Sequence, residues 1–219
     1  MGRTRVKICG ITRLLDGLAS ARAGADAIGF VFWAGTPRRV AAEAAQAIAR
    51  ALPPYVSTVG LFVDPEPSEV RAILAAVPLD LLQFHGNEPP ELCRAFARPY
   101  VKAVPVGAEA ARDGLLEYAT RYQDAAAWLF DAPPSGGLPG GTGRTFDWAA
   151  LPGDLDRPVV LSGGLNAENV GAAVRRVRPW AVDVSSGVEV IGDDGKPVKG
   201  IKDPTRIHAF IEEVRHADD

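Results

Sequence analysis

A lysine and a thiol two residues apart, Lys7 and Cys9, stand in the alternating run Arg5-Val6-Lys7-Ile8-Cys9, closed by Gly10. Side chains of a strand alternate between its faces, so if helices cover Val6 and Ile8, then Lys7 and Cys9 share the other face. A thiol beside a cation can act as a base or nucleophile; it can equally be a packed core cysteine, the commoner fate of that residue. Asp131 ends the apolar run Ala127-Trp128-Leu129-Phe130, where a carboxylic acid can deliver a proton or serve as a strand-end hydrogen-bond partner. Arg38 and Arg39 follow Thr36-Pro37 and are either carboxylate-binding forks or a solvated basic pair. Two glycine-bearing segments, Ser162-Gly163-Gly164-Leu165-Asn166 and Ser185-Ser186-Gly187-Val188-Glu189, expose backbone N–H groups suited to a phosphate. Glycine also serves tight turns with no ligand, but two such segments after neighbouring strands favour the anion. A third, Gly140-Gly141-Thr142-Gly143-Arg144-Thr145, either folds over the same anion or is a plain connector.

These residues are positioned by an alternation of strand and helix signals. Strand runs end at Cys9 and span 27–32, 56–63, 80–85, 100–104, 127–131, 158–162 and 180–185. Helical spacing covers 14–23 up to Gly24, 41–52 up to Pro53-Pro54, 70–77 after a Pro67-Ser68-Glu69 start, and 91–97. It returns at 108–122, at 167–177 with Asn166 as N-cap, and at 204–214. Eight consecutive strand-helix units predict an α/β fold, a single (β/α)8 TIM barrel over residues 1–219, in preference to an open sheet of eight strands. A barrel places function at strand C-termini. Those ends are Cys9, the loop at 36–39, Asp64, His85, Asp131, Ser162-Gly163-Gly164 and Ser185-Ser186-Gly187.

Composition narrows the function classes. With 219 residues, 47% hydrophobic and 23% charged, the chain reads as a globular domain. A net charge of -3 without a basic block argues against nucleic acid, and the absence of any membrane-length apolar run argues against a membrane partner. Two distant cysteines, Cys9 and Cys93, and no apolar leader predict free thiols in the cytoplasm. Cys93, inside a helix, is expected to be structural. A metal site is not expected from two cysteines and His85, His208 and His216 at these spacings.

Taken together, Lys7-Ile8-Cys9-Gly10-Ile11-Thr12, Gln83-Phe84-His85-Gly86, Gly143-Arg144-Thr145-Phe146-Asp147-Trp148, Leu161-Ser162-Gly163-Gly164-Leu165 and Asp183-Val184-Ser185-Ser186-Gly187-Val188-Glu189 resemble the phosphoribosylanthranilate isomerases of tryptophan biosynthesis. The resemblance spans nearly the whole chain. It implies an Amadori rearrangement of N-(5-phosphoribosyl)anthranilate, a small phosphorylated substrate, with no cofactor and no metal, in a monomer or homodimer. It assigns Cys9 as general base, Asp131 as general acid and Arg38 as the partner of the anthranilate carboxylate. Gly143, Gly163, Gly164, Ser185, Ser186 and Gly187 are then substrate-binding, and the lysine usual in the loop-six motif is Arg144 here.

The implied chemistry suits the residues. Opening the ribose needs a proton on the ring oxygen, which a carboxylic acid kept protonated by its surroundings supplies. The iminium that results acidifies the C2 proton, and a base on another side of the sugar removes it. A free thiol titrates near pH 8.5, so Lys7 or the iminium itself is expected to favour the thiolate of Cys9. His85 and Asp183 are expected either to line the pocket or to be hydrogen-bonded barrel groups, and they stay outside the catalytic set. A sibling isomerase of histidine biosynthesis would be expected to carry an aspartate at Cys9 and a second phosphate site, and a silent binding protein would lack the acid or the base.

Overall fold

The computed structural model describes residues 2–107, 112–132, 145–153 and 155–219. Eight parallel strands close into a barrel in chain order. They are β1 (Arg5–Cys9), β2 (Ala27–Val31), β3 (Ser57–Phe62), β4 (Leu81–Phe84), β5 (Tyr100–Pro105), β6 (Ala127–Asp131), β7 (Val159–Leu161) and β8 (Ala181–Val184). The closing seam is β1 against β8, with Lys7 opposite Asp183. The helices are α1 (Leu14–Ala23), α2 (Ala42–Ala51), α3 (Pro67–Ala76), α4 (Pro90–Arg94), α5 (Arg112–Thr120), α6 (Val170–Val177) and α7 (Pro204–Asp218).

Local chemistry explains the boundaries. Gly24 ends α1, its N–H on the carbonyls of Ala21 and Ser20. Proline at the first helical position opens α3 and α4, where its missing N–H costs nothing. Asp203 caps α7 by accepting from Thr205 N and Arg206 N. The buried residues of α7, Ile207, Phe210, Ile211 and Val214, recur at three- and four-residue spacing and form the stripe that faces the barrel.

Strand alternation sorts two apolar layers. Val6, Ile8, Phe30, Phe62, Phe84, Trp128, Phe130 and Val182 point outward into the main core beneath the helices. Phe32, Phe62, Phe84 and Tyr100 run through that layer as a ladder with centroid spacings of 5.4, 6.2 and 6.0 Å. Burying each such ring contributes about 1.5–3 kcal/mol. Val101, Ala103, Ala127, Leu129, Val160 and Ala181 point inward and plug the lower barrel. Among the described residues the interior is plugged below, and a cleft opens at the C-terminal mouth.

Among the described residues, the crossover from β6 to β7, where the sequence places no helical segment, carries a 3-10 turn at Trp148–Ala150. Two details depart from the sequence expectation. The helix expected from 167 starts at Val170, because Asn166 instead caps a preceding turn, accepting from Glu168 N at 2.9 Å and Asn169 N at 3.1 Å. Between β8 and α7 the chain forms an antiparallel pair, β9 (Glu189–Ile191) and β10 (Pro197–Lys202), where no element is predicted. Its signal is present in the sequence: Asp194-Gly195, a strong hairpin dipeptide, lies between Val190-Ile191 and Val198. Among the described residues no helix is long and apolar enough to cross a membrane.

Candidate active site

At the C-terminal mouth, a cleft open to solvent is lined by Cys9, Arg38, His85 and Asp131, with Gly163-Gly164 and Ser185-Ser186 along one wall. Gly187 lies just behind, on an adjoining groove shared with Arg38 and Ser186. The strand-end residue Asp64 turns away from the cleft and accepts from Asn87 N. Gly143 and Arg144 fall outside the described residues.

Cys9 ends β1 and is buried, opposite Gly29 of β2. A methyl group at Gly29 would stand 2.9 Å from Cys9 Sγ and 3.0 Å from Lys7 Cε, so the bare glycine provides the space that both side chains fill. Lys7 Nζ donates to Asp183 Oδ1 at 2.9 Å, a buried ion pair across the β1–β8 seam. Burial alone would push the lysine down, but the charges of Asp183 and Cys9 outweigh it and hold Lys7 above its ordinary value. Burial pushes the Cys9 thiol up; Lys7 pulls the other way, and Asp183 adds to the rise. Lys7 thus favours the thiolate, as the sequence leads one to expect, but burial outweighs it and the net effect holds Cys9 above its ordinary value.

Iodoacetamide labelling read by mass spectrometry checks this. A thiol held above its ordinary value is protonated at neutral pH, and its thiolate fraction grows about tenfold per pH unit below its pKa. Cys9 is expected to label slowly at pH 7 and at that steep slope up to pH 9. Cys93, wholly buried in α4 with burial pushing its thiol up to about 12, is expected to stay unlabelled. Fast labelling of Cys9 at pH 7 would show a thiolate resting state.

Asp131 ends β6 and is buried. Its Oδ1 accepts from Ala132 N at 2.8 Å, and its Oδ2 meets His85 Nε2 at 3.1 Å. Gln83 Nε2 stands 2.9 Å from His85 Nδ1. An amide nitrogen only donates, so Nδ1 accepts and the ring hydrogen sits on Nε2, directed at the carboxyl of Asp131. His85, which the sequence leaves outside the catalytic set, is thus the orienting partner of Asp131. Below it, buried Glu88 receives Lys102 Nζ at 2.8 Å and the N–H groups of Asp64 and Gly86 at 2.9 and 3.0 Å, tying down the loops after β3 and β4.

Arg38 is buried in the loop after β2, while its neighbour Arg39 is exposed. Arg38 donates from Nε to Glu189 Oε1 at 2.7 Å and from Nη2 to Glu189 Oε2 at 2.8 Å. The glycine segments owe their composition to crowding. Gly163 has φ +86, and a side chain there would press within 2.7 Å of Ala132 N and 3.0 Å of Asp131 Oδ1. A Cβ at Gly187 would lie 2.0 Å from the carbonyl oxygen of Leu165, so the loops after β7 and β8 touch backbone to backbone only because it is glycine.

A closed parallel barrel with a carboxyl, a thiol, an arginine and two glycine-bearing loops gathered at its C-terminal mouth defines a phosphate-binding barrel enzyme of the proton-transfer kind. Comparison with known proteins makes the class specific. The family model described as "PRAI: N-(5'phosphoribosyl)anthranilate (PRA) isomerase" matches residues 6–213, and the chain belongs to this family of isomerases, which serves tryptophan biosynthesis. It is 53% identical over 211 residues to the N-(5'-phosphoribosyl)anthranilate isomerase of Alcanivorax borkumensis, covering 96% of this chain and 95% of that one. The crystal structure of phosphoribosyl anthranilate isomerase from Thermotoga maritima superposes with a TM-score of 0.82 at 40% identity, covering 97% and 99% of the two chains. A phosphoribosyl anthranilate isomerase solved in complex with reduced 1-(o-carboxyphenylamino)-1-deoxyribulose 5-phosphate superposes with a TM-score of 0.79 at 40% identity, with the same coverage.

Proposed function

We propose that this one barrel converts N-(5-phosphoribosyl)anthranilate into 1-(2-carboxyphenylamino)-1-deoxyribulose 5-phosphate, with Asp131 as general acid and Cys9 as general base. The observation that carries the reading is convergence. Cys9 from β1, Asp131 from β6 and Arg38 from the loop after β2 line one cleft beside the loops at Gly163-Gly164 and Ser185-Ser186. The phosphate is held by the backbone of those two loops with Gly187 behind them, and the anthranilate carboxylate by Arg38. The ribose then lies over the mouth between strands 1 and 6, three positions apart around the ring.

The steps balance. Asp131 gives its proton to the ring oxygen as the C1–O bond breaks and the nitrogen lone pair forms the iminium. His85 N–H, aimed at Oδ2, stabilises the carboxylate left behind. The iminium acidifies C2–H and brings a positive charge into the cleft, which favours the thiolate at the moment it is needed. Cys9 takes the C2 proton, the C–H electrons form the C1=C2 bond, and the C1=N π electrons return to nitrogen. The enol then tautomerises, C1 gaining a proton and the C2 hydroxyl losing one, to leave the ketone. Every group invoked comes from one chain, so a monomer or a homodimer serves equally.

The test is an assay with freshly generated phosphoribosylanthranilate, followed by loss of its fluorescence. The expected result is a first-order loss proportional to enzyme concentration. Decay no faster than the spontaneous rate at micromolar enzyme would overturn the proposal.

A further inference from the structure

Glu189 and Lys202 take no part in the proton transfers, yet they are among the most enclosed charged groups in the protein, with relative exposures of 0% and 1%. Besides the two bonds from Arg38, Glu189 Oε1 accepts from Gly200 N at 2.8 Å and from Lys202 Nζ at 3.3 Å. Lys202 Nζ continues to the carbonyl oxygen of Ser185 at 2.9 Å and to its Oγ at 3.3 Å. A chain of contacts therefore runs from Arg38 through Glu189 and Lys202 to the loop after β8, and both of its ends line the cleft.

Geometry distinguishes this chain from a stability device. In a trans peptide the carbonyl and the following N–H point in opposite directions, and Lys202 holds the Ser185 carbonyl. The Ser186 N–H is thereby turned away from Lys202. Paired forks, in turn, fix the plane of the Arg38 guanidinium as a single contact would not.

We propose that Glu189 is the positioning residue for both anionic ends of the substrate: it fixes Arg38 for the aromatic carboxylate and, through Lys202, fixes the Ser185–Ser186 peptide for the phosphate. The inference rests on reading Arg38 as the carboxylate partner. Charge distribution agrees with it. Burial would raise Glu189, but the hydrogen bonds from Arg38 and the charge of Lys202 hold it below the ordinary carboxylate value. Burial and the charge of Arg38 hold Lys202 below its own ordinary value.

Two ligands separate the ends: reduced 1-(o-carboxyphenylamino)-1-deoxyribulose 5-phosphate and its phenylamino counterpart without the carboxylate. Calorimetry on the wild-type chain is expected to show a preference of about 10- to 100-fold for the first, the span set by hydrogen bonds to a charged group. Arg38→Ala and Glu189→Gln should each collapse that preference, and the double variant should be no worse than the poorer single one. Lys202→Met should weaken both ligands alike while keeping the preference, since they share the phosphate. Glu189→Asp retains the charge and retracts the fork by one methylene, and it gives the same reading if Glu189→Gln does not fold. In kinetics the Glu189 variants should raise KM more than they lower kcat. If the wild type shows no preference, or Arg38→Ala keeps it, the assignment of Arg38 fails and this inference with it. If Arg38→Ala loses the preference while Glu189→Gln or Glu189→Asp keeps it, whether or not both ligands weaken equally, Glu189 is a structural residue only and the inference alone is overturned. Unchanged affinity for both ligands in Lys202→Met would remove its phosphate limb.

Discussion

Asp131→Asn is expected to lower kcat by at least about 100-fold, the lower end for general acid catalysis, because an amide has no proton to deliver to the ribose oxygen. The substitution is nearly isosteric, so fold and binding should survive, but the local hydrogen bonds cannot all be kept. Asp131 accepts from Ala132 N on one oxygen and from His85 Nε2 on the other. An amide offers one oxygen and one NH2 group, so whichever way it turns, a donor faces a donor. Relief needs the opposite tautomer of His85, which the amide nitrogen of Gln83 opposes from the far side. The variant should therefore bind the reduced product analogue within a few-fold of wild type and fail in turnover. Retention of more than a tenth of wild-type activity would remove Asp131 as the acid. Asp183, now paired with Lys7, would become the next residue to change.

Local rules explain which parts of this protein could be read from its sequence. Period-two alternation separated Val6 and Ile8 from Lys7 and Cys9, and the barrel turns the first pair to the helices and the second to the interior. Glycine and proline punctuation located the ends of α1, α2 and α3. The features that sequence left open are contacts between residues far apart in the chain. Lys7 and Asp183 are 176 positions apart, and Arg38 and Glu189 are 151 apart. Neither pairing has a local signature, although together they decide how charge is arranged around the cleft. Lys7 pulls Cys9 toward the thiolate as its spacing leads one to expect, but the burial that outweighs it, with Asp183 adding to the rise, comes from the closed barrel and has no local signature. The same holds for His85, whose role depends on a bond to Asp131 from a strand two positions along the ring. The β9–β10 pair has a weak sequence signal because β9 is only three residues long and the pairing register shifts along β10, despite the Asp194-Gly195 turn signal. Yet it delivers Glu189, Gly200 and Lys202 to the back of the site.

Cys9→Ser is expected to lower kcat by about 10² to 10⁴-fold, the range for a lost general base, while affinity for the reduced product analogue stays within a few-fold. Serine is smaller than cysteine and fits the space left by Gly29, where Sγ already lies 2.9 Å from the position a methyl group would take. Folding should therefore be unaffected, and the loss should fall on proton transfer. The pH profile gives an independent check. The reactive state needs a protonated acid and an ionised base, so its population is the product of two fractions. Below both pKa values the product rises with pH as thiolate forms. Between them it is level, because one fraction falls as the other grows. Above both it declines. Where the acid is a carboxylic acid, which titrates below a thiol, the thiol therefore sets the alkaline limb of kcat/KM. Burial and Asp183 hold Cys9 above its ordinary value, which places that limb on the alkaline side of the usual thiol range. Apparent values belong to the coupled pair, so the assignment comes from the variant. A hydroxyl is a far weaker acid than a thiol, and the residual activity of Cys9→Ser should show no alkaline limb across the pH range in which the protein stays folded. A variant with near-normal turnover, or one whose alkaline limb stays where the wild type has it, would remove Cys9 as the base.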